Sequence, residues 1–222
     1  PMVFAVLFPI LLSSVWWPIL TYLFVLAMFA VLIFWHDEIP FADVAFTFST
    51  TALVLLGMGS IIILCDQNRT HTGFYVTMSL VIPWVADAGA YFMGTFFGKH
   101  KMCPAISPKK TWEGFVGGII TSGVFAVIMS FAYELIDSMI NGGVHTFSVN
   151  WVYLTVMALV ISGLGVVGDL SASLVKRECS VKDFGNILPG HGGILDRFDS
   201  VLLAAPFAYM MFQIYFPVTP IA

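Results

Sequence analysis

Apolar residues run along this chain in long blocks interrupted by short polar stretches. The blocks cover residues 2–13, 15–34, 43–65, 73–98, 114–136, 150–170 and 198–216. Within each block the apolar positions are nearly continuous, which is neither the period-two alternation of a barrel strand nor the single stripe of a water-soluble helix. A hydrocarbon slab of roughly 30 Å takes about 20 helical residues, so the first block reads as a short or partial span and the others as full ones. The pattern predicts an all-α, polytopic integral membrane protein with six to seven transmembrane helices. The breaks are "HDEIP" (36–40), "DQNRTHT" (66–72), residues 98–114, "DSMINGGVHT" (137–146) and a long polar segment at 171–197. No repeat and no separate soluble domain interrupts them. The chain divides into N-terminal helices at 1–72 and a region at 73–222 that carries both large polar loops.

Composition strengthens this picture. Hydrophobic residues make up 59% of the chain and charged ones 10%, with 21 Phe and 6 Trp, and the mean hydropathy of +0.94 exceeds what a water-soluble core buries. Cys65, Cys103 and Cys179 share no metal-ligand spacing and read as packing residues. The chain opens on "PMVFAVLFPILL", without an initiator Met, a basic segment or a small-residue cleavage site. The expectation is that the N-terminal part of a longer protein precedes residue 1.

Charge adds orientation. Of nine cations, only Arg69 lies outside the 98–114 and 171–197 segments. Two spans between those segments return the chain to one side, which the positive-inside tendency makes cytoplasmic. Topology accounts for the Lys and Arg but not for the Asp, Ser, Gly and His interleaved among them.

The acids supply candidate chemistry. Asp87 lies in "VIPWVADAGAYFMGTFFGK", eleven residues before Gly98, or roughly 16 Å into its span at 1.5 Å per residue. An ionisable group at that depth faces a polar cavity or a partner. Ala90, Tyr91 and Gly94 share its face, and Gly94 and Gly98 form a small-xxx-small pair; the alternative is a packing seam. Asp169 ends the 150–170 span, and if the helix continues, Ser173 and Lys176 follow on its face with Arg177 beside them. Asp196 and Asp199 open the last span, where they complement the helix dipole or join Asp169. Between these carboxylates, "PGHGG" (189–193) places Gly190, His191 and Gly192 in a turn whose amides suit an anion. Carboxylates hold a hard cation such as Mg²⁺, which shares its shell with phosphates, while Lys and Arg neutralise further phosphate oxygens. The 176–199 stretch therefore reads as a nucleoside triphosphate or pyrophosphate site at a membrane surface.

The run Ser173, Lys176-Arg177, Lys182-Asp183, Pro189 to Gly193, Asp196-Arg197 and Asp199 resembles the signature of the phosphatidate cytidylyltransferases, or CDP-diacylglycerol synthases. Asp87, Ala90-Tyr91, Gly94, Gly98-Lys99 and "SPKKTWEG" (107–114) resemble the family's second block, and the similarity spans roughly 73–216. The resemblance makes 73–222 the catalytic region. It implies CMP transfer from CTP to phosphatidic acid, giving CDP-diacylglycerol and pyrophosphate in phospholipid biosynthesis. The implied cofactor is Mg²⁺, as one cation or with a second, held by Asp169, Asp196 and Asp199. Lys176, Arg177, Lys182 and Arg197 are assigned to the triphosphate, the pyrophosphate or the lipid phosphate. His191 is a phosphate donor or a loop organiser, and Ser173 a ligand or hydrogen-bond donor rather than a nucleophile. Lys99, Lys109 and Lys110 share the cytoplasmic edge with the signature and gather nucleotide or headgroup, Asp87 is assigned to substrate binding, and Ser107-Pro108 gives an extended turn before Thr111 caps a helix whose first turn holds Glu113. The expected setting is a bacterial cytoplasmic membrane with the site facing the cytoplasm. Membrane lipids are expected partners, nucleic acid is not, and a homodimer is compatible. The alternatives are a polyprenol kinase, an ether-lipid cytidylyltransferase, or an ion-coupled transporter.

Overall fold

The computed structural model describes residues 17–67, 70–179, 181, 183–185, 193 and 195–221. The 2–13 block lies outside them. Two compact units divide the chain, Pro1–Thr72 and Gly73–Ala222. The first carries α1 (Trp17–Phe34) and α2 (Phe41–Gln67), with Phe24 and Phe48 stacked at 6.2 Å between ring centres. In α2 the hydroxyls of Ser49, Thr50 and Thr51 donate to carbonyls one turn back, which keeps them satisfied without water.

The second unit is built on α3 (Thr72–Phe97), α4 (Trp112–Ile140), α5 (Trp151–Glu178) and α6 (Leu195–Ile214). Two small antiparallel ribbons close its loops: β1 (Lys101–Cys103) with β2 (Ser107–Thr111), and β3 (Phe147–Val149) with β4 (Val218–Pro220). Among the described residues, four helical stretches are long and apolar enough to cross a membrane: Phe41–Asp66, Thr72–Phe97, Trp112–Ile140 and Trp151–Glu178. A shorter apolar stretch covers Thr21–Phe34. The architecture is all-α with ribbons in the loops.

Packing in α4 is inverted relative to a protein in water. Its buried residues are Gly114, Gly117, Gly118, Ser122, Gly123, Ala126, Ser130 and Asp137. Val116, Ile120, Val124, Ile128, Phe131 and Leu135 are each more than half exposed. Small residues inside let helix backbones approach, and large apolar ones outside meet hydrocarbon. A Cβ at Gly118 would stand 2.6 Å from the Ala86 carbonyl, and one at Gly114 would stand 2.7 Å from the Ala90 carbonyl. The α3–α4 seam therefore depends on glycine. Gly94, one of the predicted small-xxx-small pair, faces Thr111 and Gly114 there.

Two loop boundaries depart from the hydropathy pattern. The polar segment predicted at 171–197 starts later, because α5 continues without interruption to Glu178. "SASLVKRE" is polar but contains no Gly or Pro, and Lys176 and Arg177 complement the C-terminal end of the helix dipole. Hydropathy marks where the solvent changes, not where the backbone does. Similarly, the 98–114 break contains a paired antiparallel ribbon. Thr111 caps α4 as its sequence position predicts, its hydroxyl accepting from the Gly114 amide at 3.1 Å.

Candidate active site

A cavity of about 530 Å³ opens at one end of the second unit, where α3, α4, α5, α6 and the β1–β2 ribbon meet. One face of α3 supplies Asp87, Ala90, Tyr91, Gly94 and Thr95, positions that helical periodicity brings into line. Thr111, Gly114 and Phe115 line it from the start of α4, Val166 and Asp169 from α5, and Asp196 and Asp199 from α6. The ribbon contributes Lys101, Met102, Lys109 and Lys110. Four carboxylates separated by up to 112 positions in sequence thus share one space with three lysines.

Close helix contact places two of the acids together. A Cβ at Gly168 would come within 2.6 Å of the Asp199 carbonyl, so α5 and α6 touch backbone to backbone one residue from Asp169. Continuation of α5 puts Ser173 one turn beyond, where its hydroxyl donates to Asp169 Oδ1 at 3.4 Å. The other oxygen, Asp169 Oδ2, receives the Lys110 ammonium at 2.6 Å. Lys110 also reaches the Val166 carbonyl at 3.5 Å.

Asp196 is the most fully engaged of the four. Lys176 Nζ donates to Oδ1 at 2.9 Å, and the Phe184 and Gly193 amides donate to Oδ2 at 2.9 Å each. It joins α5, the polar loop and the first turn of α6. A Cβ at Gly193 would stand 2.8 Å from the Gly185 nitrogen, so glycine is what lets the loop backbones meet there. Burial alone raises the Asp196 carboxyl, but the Lys176 ammonium and the two amides outweigh it and hold it below the ordinary carboxylate range. This residue precedes the apolar run of α6, at the polar end of the helix. Lys176 is itself mostly enclosed: it stands 3.7 Å from Asp199 Oδ2 and over the Phe184 ring at 5.2 Å. The Ser200 amide donates to Asp199 Oδ1 at 2.8 Å. On α3, Trp84 Nε1 donates to the Arg197 carbonyl at 3.0 Å, fastening the start of α6 to the helix that carries Asp87.

The site residues named from sequence thus fall into three groups. Asp87, Lys109, Lys110, Asp169, Asp196 and Asp199 line the cavity, while Ser173 and Lys176 support it through their bonds to these carboxylates. Lys99 and Arg177 are exposed, outside the residues that line it, and Arg197 enters the picture through its backbone carbonyl. Lys182, Gly190, His191 and Gly192 lie outside the described residues. Sequence reasoning passed over Lys101 as a topology signal, although it lines the cavity. It also missed the clamp at the ribbon's base, where the His100 amide donates to both Glu113 oxygens at 3.2 Å and His100 Nδ1 lies 2.6 Å from Oε1. Only the ribbon's register brings those two residues together.

The donor set suits a hard cation. All four acidic groups offer oxygen, and three hydrogen bonds to Asp196 leave acceptor capacity on a carboxylate with about four lone-pair sites. Among the described residues, no group of three or more His, Cys, Asp or Glu forms a ready-made cage.

Residues 2–215 match the sequence model of the cytidylyltransferase family. The chain belongs to that family. It is 39% identical over 197 residues to the phosphatidate cytidylyltransferase of Bacillus subtilis, covering 86% of this chain and 68% of that protein. Its counterpart in Haemophilus influenzae is 37% identical over 205 residues, covering 89% and 66%, and that of Staphylococcus haemolyticus 38% over 170 residues, covering 77% and 59%. This cytidylyltransferase-family chain thus spans about three fifths to two thirds of the length of these relatives. Bacterial relatives and several apolar, lipid-facing helices make it a multi-pass membrane protein.

Proposed function

We propose that this chain carries the catalytic region of a phosphatidate cytidylyltransferase, transferring CMP from CTP to phosphatidic acid. The observation that carries the reading is the meeting of Asp87, Asp169, Asp196 and Asp199 with Lys101, Lys109 and Lys110 in one cavity at the end of a lipid-facing bundle. A phosphomonoester is anionic at neutral pH, its second pKa being about 6, so the lipid phosphate oxygen attacks without a general base. The new P–O bond forms at the α-phosphorus of CTP, the α–β bridging bond breaks, and pyrophosphate leaves with the electron pair.

Catalysis then consists of holding two polyanions in line and offsetting their repulsion. Lys101, Lys109 and Lys110 supply positive charge at the cavity, and the resemblance assigns Arg177, Lys182 and Arg197 to the triphosphate, the pyrophosphate or the lipid phosphate, with His191 a phosphate donor or a loop organiser. Asp169 and Asp196, with Asp199, would hold Mg²⁺, which supplies charge neutralisation at the phosphates. Lys176 balances the Asp196 and Asp199 charges and keeps both acids oriented. Asp87 borders the cavity from the α3 face. The concentration of cations in the two polar segments supports a site on the cytoplasmic face of a bacterial cytoplasmic membrane, with CTP entering from water and the lipid laterally.

The test is purified protein with radiolabelled CTP, phosphatidic acid and Mg²⁺. CDP-diacylglycerol and pyrophosphate in equal amounts are expected, lost on chelation and restored by Mg²⁺. Transfer to a polyprenol, or no CDP-lipid from any phosphorylated lipid, overturns the assignment.

A further inference from the structure

Lys110 makes the shortest ion pair to a cavity carboxylate among the described residues, 2.6 Å from Asp169 Oδ2. Both side chains are largely enclosed, 22% and 27% exposed, so the pair is less screened than one on an open surface. Its ammonium uses the charge and one oxygen that a divalent cation would use. The two cations therefore compete for one carboxylate.

The surrounding backbone is built to keep Lys110 in reach while its side chain turns. Thr111 is pinned as the cap of α4, the Trp112 amide donates to the His100 carbonyl at 3.0 Å, and Glu113 grips His100. These bonds fix the base of the ribbon, leaving the four-carbon lysine stem as the moving part. Phosphate oxygens entering the cavity offer that ammonium an alternative partner of higher charge.

We propose that Lys110 is a resident competitor for Asp169, holding the carboxylate until nucleotide phosphates draw it away, so that a divalent cation gains Asp169 together with the nucleotide. This rests on reading the cavity as the CTP site. It makes metal and nucleotide binding mutually reinforcing, and linkage requires each to strengthen the other by the same factor.

Mn²⁺ binding followed by electron paramagnetic resonance tests this without turnover, because the lipid acceptor is omitted. The protein is titrated with Mn²⁺ alone and with CTP, correcting for the Mn²⁺–CTP association measured without protein. Wild type is expected to bind Mn²⁺ weakly alone and much more tightly with CTP. Lys110→Gln should bind Mn²⁺ alone about tenfold tighter, a change of ~1.4 kcal/mol, and should lose a matching part of the CTP enhancement. Lys110→Arg keeps the competing charge and should stay close to wild type. Lys109→Gln removes a lysine from the same cavity without touching Asp169 and should change Mn²⁺ affinity far less.

The idea fails if wild type binds Mn²⁺ equally well with and without CTP, a result that needs no variant. It also fails if Lys110→Gln binds Mn²⁺ no tighter than wild type, or if Lys109→Gln tightens binding as much. Wild-type CMP transfer reports separately on the enzyme assignment. Transfer without metal–nucleotide coupling sinks only the role of Lys110, whereas coupling without transfer sinks the enzyme assignment.

Discussion

The second unit has acidic side chains at both of its ends, and the two ends treat them differently. Opposite the cavity, Asp137 accepts from the Thr146 amide at 2.6 Å, from its hydroxyl at 2.7 Å and from Asn141 Nδ2 at 2.7 Å. Glu134 accepts the Val149 amide at 2.5 Å. Those donors are neutral and belong to the fold itself, tying the end of α4 to the β3–β4 ribbon. At the cavity, Asp196 and Asp199 also accept backbone amides, but each of Asp169, Asp196 and Asp199 is balanced by a lysine ammonium as well. A neutral donor fixed in the backbone can satisfy a carboxylate permanently, whereas a flexible cation can be exchanged for a metal or lost to a phosphate. One end locks the bundle and the other keeps its charge negotiable.

The largest expected effect comes from the cavity end. Asp169→Asn should lower CMP transfer by roughly 10²–10³-fold, the range for loss of a preorganised electrostatic group, with the melting temperature in detergent close to wild type. An active Asp169→Asn protein would move this residue from the chemistry to the scaffold and erase the contrast. Next is the contact that brings α5 to α6. Gly168→Val forces a branched side chain against the Asp199 carbonyl and should cost about 1–3 kcal/mol in overpacking. It should also reduce transfer by about 10²-fold by displacing Asp169 and Asp199 on the ångström scale, read by thermal unfolding and labelled CTP together. At the locked end, Asp137→Ala should lower the melting temperature while the folded fraction keeps its KM for CTP and its metal dependence. A changed KM there would mean the two ends are not separate in function. The smallest effect belongs to pH. Because the folded Asp196 carboxyl is held below its ordinary value of about 4, its stabilisation is fully present above that value and is lost as pH falls from there through the lower folded value. Asp196→Asn should flatten the acid limb of a stability–pH profile and leave the neutral region's slope unchanged.

How much was legible from the sequence depended on the range of the interaction. Asp87 stood out because a charge in an apolar run is visible within a single helix, and Thr111 because capping is local. The Gly94 and Gly98 spacing marked a seam, but Gly114 and Gly118, which complete it from α4, emerge as partners only once the helices cross. The apolar run of α5 stops eight residues before the helix does, and the shared face of Asp169, Ser173 and Lys176 was the sequence sign of that continuation to Glu178. Lys101 and the His100–Glu113 clamp could not be assigned because the ribbon register that positions them is a tertiary property. The opposite end was passed over entirely. "DSMINGGVHT" reads as an ordinary turn, and nothing local shows that Asp137 would reach forward to Thr146.

The unbroken course of α5 has a mechanical consequence. Asp169, Ser173 and Lys176 ride on one stiff rod, their axial spacing set by a rise of about 1.5 Å per residue, so no reshaping of loops can spread or compress them. Accommodation to reactants of different size falls instead to the lysine side chains that the β1–β2 ribbon holds beside that rod. The rod works as a ruler, and the ribbon lysines as the sliding jaw of a caliper.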